Sequence, residues 1–278
     1  MLQTISYADI FGYPLKKEEI KKWLIGAKEG DEEEIVELLR LNKIKQKDGY
    51  FFLKRREKTV KQRKKREEWS ENKLEIAQET AKKLQIIPFI KMIAATGALT
   101  MDNCTKDDDI DLMIVTEKNS LWVTRLLIIF LCPFLSIQRR KPKEKEVKDK
   151  ICFNLFLDEK DLEIKEKNLF TAHEICQVKP LLNKNKAYER FLSANEWARE
   201  YLPNAFHGSW FIVHGSKSLL RNNPLSFLLA LLNWVAFKFQ HLYMKPKITL
   251  EKVSLSQVFF HPKKPSKKVE EFAKIKLP

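Results

Sequence analysis

The spacing of apolar and polar positions changes several times along this 278-residue chain, and each change marks an element. Residues 6–11 and 16–26 carry apolar positions at helical spacing, with Ile20, Trp23 and Leu24 on one face. Asp31 with Glu34 three residues later forms a capping box, which opens a third helix with Ile35, Leu38 and Leu39 inward. The period then falls to two. Ile44-Lys45-Gln46 and Tyr50-Phe51-Phe52-Leu53 flank Lys47-Asp48-Gly49, and the Asp-Gly pair predicts a hairpin. Strands are expected at 91–96, 109–116 and 151–157, with a short helix after Ala98 and a longer one over 120–137. Helical spacing returns over 169–179, 186–201 and 223–243. The tail from Lys245 onward shows little periodicity apart from Val258-Phe259-Phe260. The expected fold class is therefore α+β: a small mixed sheet as the core, an N-terminal helix-and-hairpin domain and a C-terminal helical region.

The candidate chemistry lies in the core. Thr96-Gly97-Ala98-Leu99 follows the first strand, and twelve positions after the glycine comes Asp109-Ile110-Asp111-Leu112-Met113-Ile114-Val115. Carboxylates at i and i+2 of a strand share one face of the sheet, and two adjacent carboxylates suit a divalent cation bound to a nucleoside triphosphate. These residues resemble the DNA polymerase beta-like nucleotidyltransferase superfamily, whose signature is a hydrophobic residue, Gly, Gly or Ser, a spacer of about ten residues, then Asp-x-Asp-hydrophobic. The resemblance covers roughly residues 86 to 160 and departs at Ala98, where Ser is usual. It implies transfer of a nucleoside monophosphate from a triphosphate to a hydroxyl. Asp109 and Asp111 would hold two Mg²⁺ ions, or Mn²⁺ in their place, and Gly97 and Ala98 would line the triphosphate.

The family's third carboxylate would come from the strand Ile151-Cys152-Phe153-Asn154-Leu155-Phe156-Leu157-Asp158. Counting by twos places Cys152, Asn154, Phe156 and Asp158 on one face, with Asn154 at the mid-strand acid's position. An amide can ligate through its oxygen but brings no charge and accepts no proton at neutral pH. Asp158 lies about 13 Å further along at roughly 3.3 Å per residue. A catalytically weakened or inactive protein of this fold, binding nucleotide or nucleic acid in a regulatory role, is the alternative expectation.

Residues 1–56 look like a winged helix, although the helix that would enter DNA begins Glu32-Glu33-Glu34, a poor match to phosphates. Nine of the thirteen residues between Lys54 and Arg66 are basic. They open a linker helix over 57–85 that is expected to start solvated and end packed, as either a polyanion-binding stripe or a solvated face. The expected organisation is thus 1–56, 57–85, 86–165 for the catalytic core, 166–246 for a helical domain and 247–278 for a basic tail. A second basic stretch, 139–150, lies between the last two core elements.

Composition narrows the partners. Fifty-two Lys and Arg against thirty-seven Asp and Glu give +15, a field that fits nucleic acid, nucleotides and anionic membrane surfaces. Cys104, Cys132, Cys152 and Cys176 form no Cys-x-x-Cys pair, so free thiols in a reducing cytoplasm are expected rather than a zinc site. Residues 1–12 lack the pattern of a signal peptide. Arg125 and Pro133 interrupt one apolar run, which is expected as a buried helix packed on the core sheet, and Asn233, Lys238, Gln240 and His241 another, which is expected as a buried or interfacial helix; neither is expected to span a membrane. The five histidines, His173, His207, His214, His241 and His261, form no short metal-binding motif.

Overall fold

The computed structural model describes residues 1–27, 32–142, 144–206, 224–248, 251–260 and 269. It is a mixed α+β fold with two sheets. The N-terminal segment holds α1 (Leu2–Ile10), β1 (Leu15–Lys16), α2 (Lys17–Lys22), α3 (Glu32–Arg40), β2 (Ile44–Lys47) and β3 (Tyr50–Leu53). The three strands form an antiparallel sheet in the order β1-β3-β2. Asp48 and Gly49 both take positive φ, 53° and 80°, the pair of left-handed residues that a two-residue hairpin with the right twist demands. Asp31 of the expected capping box lies outside the described residues, as do His207, His214 and His261.

The long helix α4 (Lys58–Leu84) corrects the expectation of a solvated start. Arg63 is 2% exposed. Its guanidinium meets Glu19 at 2.9 Å and Glu67 at 3.0 Å, and lies 3.7 Å from the centre of the Tyr13 ring. Arg66 donates to Asn103 and to the Phe11 carbonyl, and Lys64 pairs with Asp48. A buried charge is tolerated only with partners. Here the basic run supplies internal partners for the N-terminal segment, and four of its cations are already occupied, Arg56 on Asp9 among them.

The second sheet has six strands in the order β7-β4-β5-β6-β9-β8: β4 (Ile90–Ala95), β5 (Ile110–Thr116), β6 (Ile151–Asp158), β7 (Lys179–Asn183), β8 (Lys252–Val253) and β9 (Gln257–Phe259). Only β5 and β6 run parallel, joined by α5 (Leu121–Phe134); the other neighbours are antiparallel. Side chains alternate across β5. Leu112 and Ile114 enter a core with α4, α5 and α9 (Pro224–Met244), whereas Met113 and Val115 enter a core shared with the N-terminal segment, α6 (Leu169–Cys176), α7 (Ala187–Ala194) and α8 (Ala198–Tyr201). The sheet is thus a middle layer, buried on both faces.

Two expectations for the C-terminal part need correction. The stretch expected as a helical domain contains β7, and the tail contributes β8 and β9, so both regions complete the central sheet. β7 bears Pro180, which an edge strand tolerates and a pattern search discounts. The helix expected over 186–201 is broken at Asn195, which is fully buried; its side chain accepts from the Ile164 N–H and donates to the Leu162 and Phe191 carbonyls.

Candidate functional site

β5 presents the two aspartates. Asp109 precedes its first residue and Asp111 lies within it, on the side of Met113 that faces the N-terminal segment. The turn before Asp109 is held from below by Lys73 of α4, 1% exposed, which bonds the Asp108 and Lys106 carbonyls and pairs with Asp149 at 2.6 Å. Nothing in the local pattern of α4 singles out Lys73. It has no role until the chain brings residue 149 beside residue 108.

Gly97 opens a short 3₁₀ turn (Gly97–Met101) at φ +65°, a conformation that suits glycine. A Cβ there would stand 3.2 Å from Asp111 Oδ2, so the missing side chain lets the turn lie against the carboxylate. The Thr96 N–H donates to the Asp111 carbonyl at 3.1 Å, locking turn and strand together. Ala98 sits in the same turn, and its carbonyl accepts from Asn103 N–H.

The partner strand corrects the count by twos. Asp111 lies opposite Cys152, but the register slips between Leu112 and Met113, so that Phe153 faces Leu112 while Leu155 faces Met113. Asn154 is the extra residue of this bulge. It stays on the aspartate side, donating to Thr96 Oγ1 at 3.4 Å, while its buried Oδ1 has no partner. Beyond the bulge the faces exchange: Leu155 and Leu157 join the core of Met113, and Phe156 the opposite core. Asp158 is fully buried at the far end, accepting from the Asn119 and Lys160 N–H groups, and burial raises its pKa above the ordinary carboxylate value. It takes no part in the cluster.

Cys152 stands beside the aspartates. Its sulfur and one oxygen each of Asp109 and Asp111 lie within 4.8 Å of one another. Burial first, then the two carboxylate charges and a hydrogen bond to Asp111, push the thiol well above its usual range. It is therefore a neutral donor facing Asp111. Strand parity puts Cys152 on this face, and the parallel register with Asp111 gives the free thiol its place in the cluster. Arg140 completes the group, its Nη1 2.7 Å from Asp109 Oδ2. Backbone bonds of residues 138–140 to Ile151 carry it there from the basic 139–150 segment.

Asp109, Asp111, Arg140 and Asn154 line a cavity of about 890 Å³ between the N-terminal segment and the sheet. Tyr7, Trp23, Phe170 and His173 also line it. His173 is stacked between the Tyr7 and Trp23 rings, at 4.5 and 5.1 Å, and burial lowers its pKa to about 3, so it is neutral. The arrangement is thus an acidic pair with a thiol, an amide and a guanidinium beside it, opening on a cavity of small-molecule size. No protein-family model, curated protein or solved structure matches the chain.

Proposed function

We propose that the protein is a divalent-metal-dependent nucleotidyltransferase, moving a nucleoside monophosphate from a nucleoside triphosphate to a hydroxyl acceptor and releasing pyrophosphate. One observation carries this reading: Asp109 and Asp111 stand together, Asp111 against the Gly97 turn, in the lining of a cavity that can hold a nucleotide. The donor set fits a divalent cation. Two carboxylates offer hard oxygens, and Asn154 adds a buried carbonyl oxygen without a partner. A bound Mg²⁺ would neutralise charge on the transferring phosphoryl group.

The chain's own residues supply the remainder. Arg140 brings a planar set of donors beside the carboxylates, suited to phosphate oxygens. The acceptor oxygen bonds the α-phosphorus as the bridging oxygen leaves with pyrophosphate. Its proton passes to Asp109 or Asp111, since Asn154 accepts none and Cys152 is held as a neutral thiol. Titration calorimetry with each nucleoside triphosphate and Mg²⁺, paired with a pyrophosphate-release assay, tests the reading. Wild type is expected to bind at least one triphosphate, and Asp109→Ala with Asp111→Ala to lose metal-dependent binding at least tenfold. A chain that binds none of them, or a double variant that binds as wild type, overturns it.

A second reading is favoured by the same side chains. With Asn154 and Cys152 in place of a third carboxylate and Arg140 on Asp109, a catalytically weakened protein would bind nucleotide in a regulatory role. It is distinguished by metal-dependent binding without pyrophosphate release. Nucleic-acid binding by the run between Lys54 and Arg66 has less support, because Arg63, Lys64 and Arg66 are engaged within the chain.

A further inference from the structure

α9 is turned inside out. Its polar residues Asn233 and Gln240 are buried with Ala236 and Met244, while Phe227, Leu231, Trp234, Phe239, Leu242 and Tyr243 are exposed, Phe227 at 76% and Leu242 at 75%. The buried polar pair is structural. Asn233 Oδ1 accepts from Trp122 N–H at the start of α5, and Gln240 donates to the Trp122 carbonyl and accepts from Arg125. At 100° per residue the exposed apolar positions of α9 fall within about half of its circumference. They expose on the order of 1,000 Å² of apolar surface, beyond the few hundred Å² usual for a soluble monomer. Phe130 and Phe134 of α5, 64% and 73% exposed, add a second aromatic pair with ring centres 5.2 Å apart.

Charge decides what can cover this face. Residues 121–142 and 224–248, the two helices and their flanks, carry no Asp or Glu. Of their Lys and Arg, Arg140 pairs with Asp109 on the other side of the sheet and Arg125 bonds Gln240 between the helices, so the exposed face takes its charge from lysines. Lys238 lies within the apolar arc, its ammonium 5.4 Å from the Trp234 ring, and Lys245 is exposed at the helix end. A second copy would set Lys238 and Lys245 against their own counterparts with no carboxylate on either helix to pair them, and like charges would oppose the contact. Nucleic acid would satisfy the cations but leave the aliphatic side chains uncovered. An anionic bilayer surface satisfies both: apolar and aromatic side chains enter the headgroup boundary while lysines reach the phosphates. Among the described residues no helix is long and apolar enough to cross a membrane, so such a helix lies in the interface.

We propose that α9, with the exposed phenylalanines of α5, docks the protein on an anionic lipid surface. This face lies on the opposite side of the central sheet from Asp111, so the proposal is independent of the reaction at the aspartates. The test is flotation of the full chain with vesicles of phosphatidylcholine alone and with roughly 30% phosphatidylserine, alongside light scattering for mass. The expected result is at least tenfold more bound protein on the anionic vesicles, decreasing as salt rises. Leu231→Glu with Phe239→Glu should abolish it without changing the thermal midpoint, both positions being exposed. Equal binding to neutral vesicles, binding to neither, or a dimer that the same substitutions dissolve would each overturn the proposal.

Discussion

At position 154 the difference between an amide and a carboxylate is one negative charge in a cluster that already holds two. Asn154→Asp is expected to strengthen Mg²⁺ binding on the order of tenfold in titration calorimetry, since affinity in oxygen-ligand sites follows ligand charge. Affinity at or below wild type would mean that Oδ1 serves the bulge rather than an ion. At position 173 the same kind of question concerns folding. His173 is neutral in the fold because burial holds its pKa near 3, against an ordinary value of 6.5. Below about 6.5 the unfolded chain takes up a proton that the folded chain refuses, so its contribution is complete above that pH and is lost as pH falls toward 3. Denaturant melts between these limits should show wild type losing about 1 kcal/mol per pH unit through this group, and His173→Phe, which keeps the ring stack, losing correspondingly less. Parallel pH profiles would overturn that account.

On the scale of elements, α4 shows how a charge run misleads. Its spacing identifies the helix, but which cations are buried depends on where Tyr13, Glu19 and residue 149 arrive. Arg63→Met is expected to cost about 2 to 4 kcal/mol in urea denaturation, because it strands Glu19 and Glu67 beside a buried wall. The loss should also depend on pH. Burial acts to raise the Glu67 carboxyl, but Arg63 and Lys16 outweigh it and hold the pKa below its ordinary value. That contribution is present above the carboxylate range and disappears as pH falls through the lowered pKa, so wild type and variant should converge in acid. A pH-independent difference, or none, would show that the pairing does not stabilise the fold. β6 is the complementary case. Its apolar run locates the strand, and one bulge residue exchanges the faces beyond it, moving Phe156 away from the aspartate side.

For the whole molecule, periodicity was enough to locate α1 to α5, the N-terminal hairpin and the strands β4 to β6, because in those segments local pattern and burial agree. The glycine turn and both aspartates were legible for the same reason: their chemistry is encoded in residue type at short spacing. What only the tertiary structure decided are the contacts between residues distant in sequence. β7 and β9 become strands by pairing with β4 and β6, Cys152 gains its place through a register, and Arg140 reaches Asp109 across 31 positions. α9 is the clearest instance. Its sequence specifies an apolar helix, but two buried amides that bond α5 fix which side turns inward, and so leave the greasy side facing out. The partners of those amides are groups of another helix that come within reach only once the chain is folded, and no one-dimensional pattern contains them.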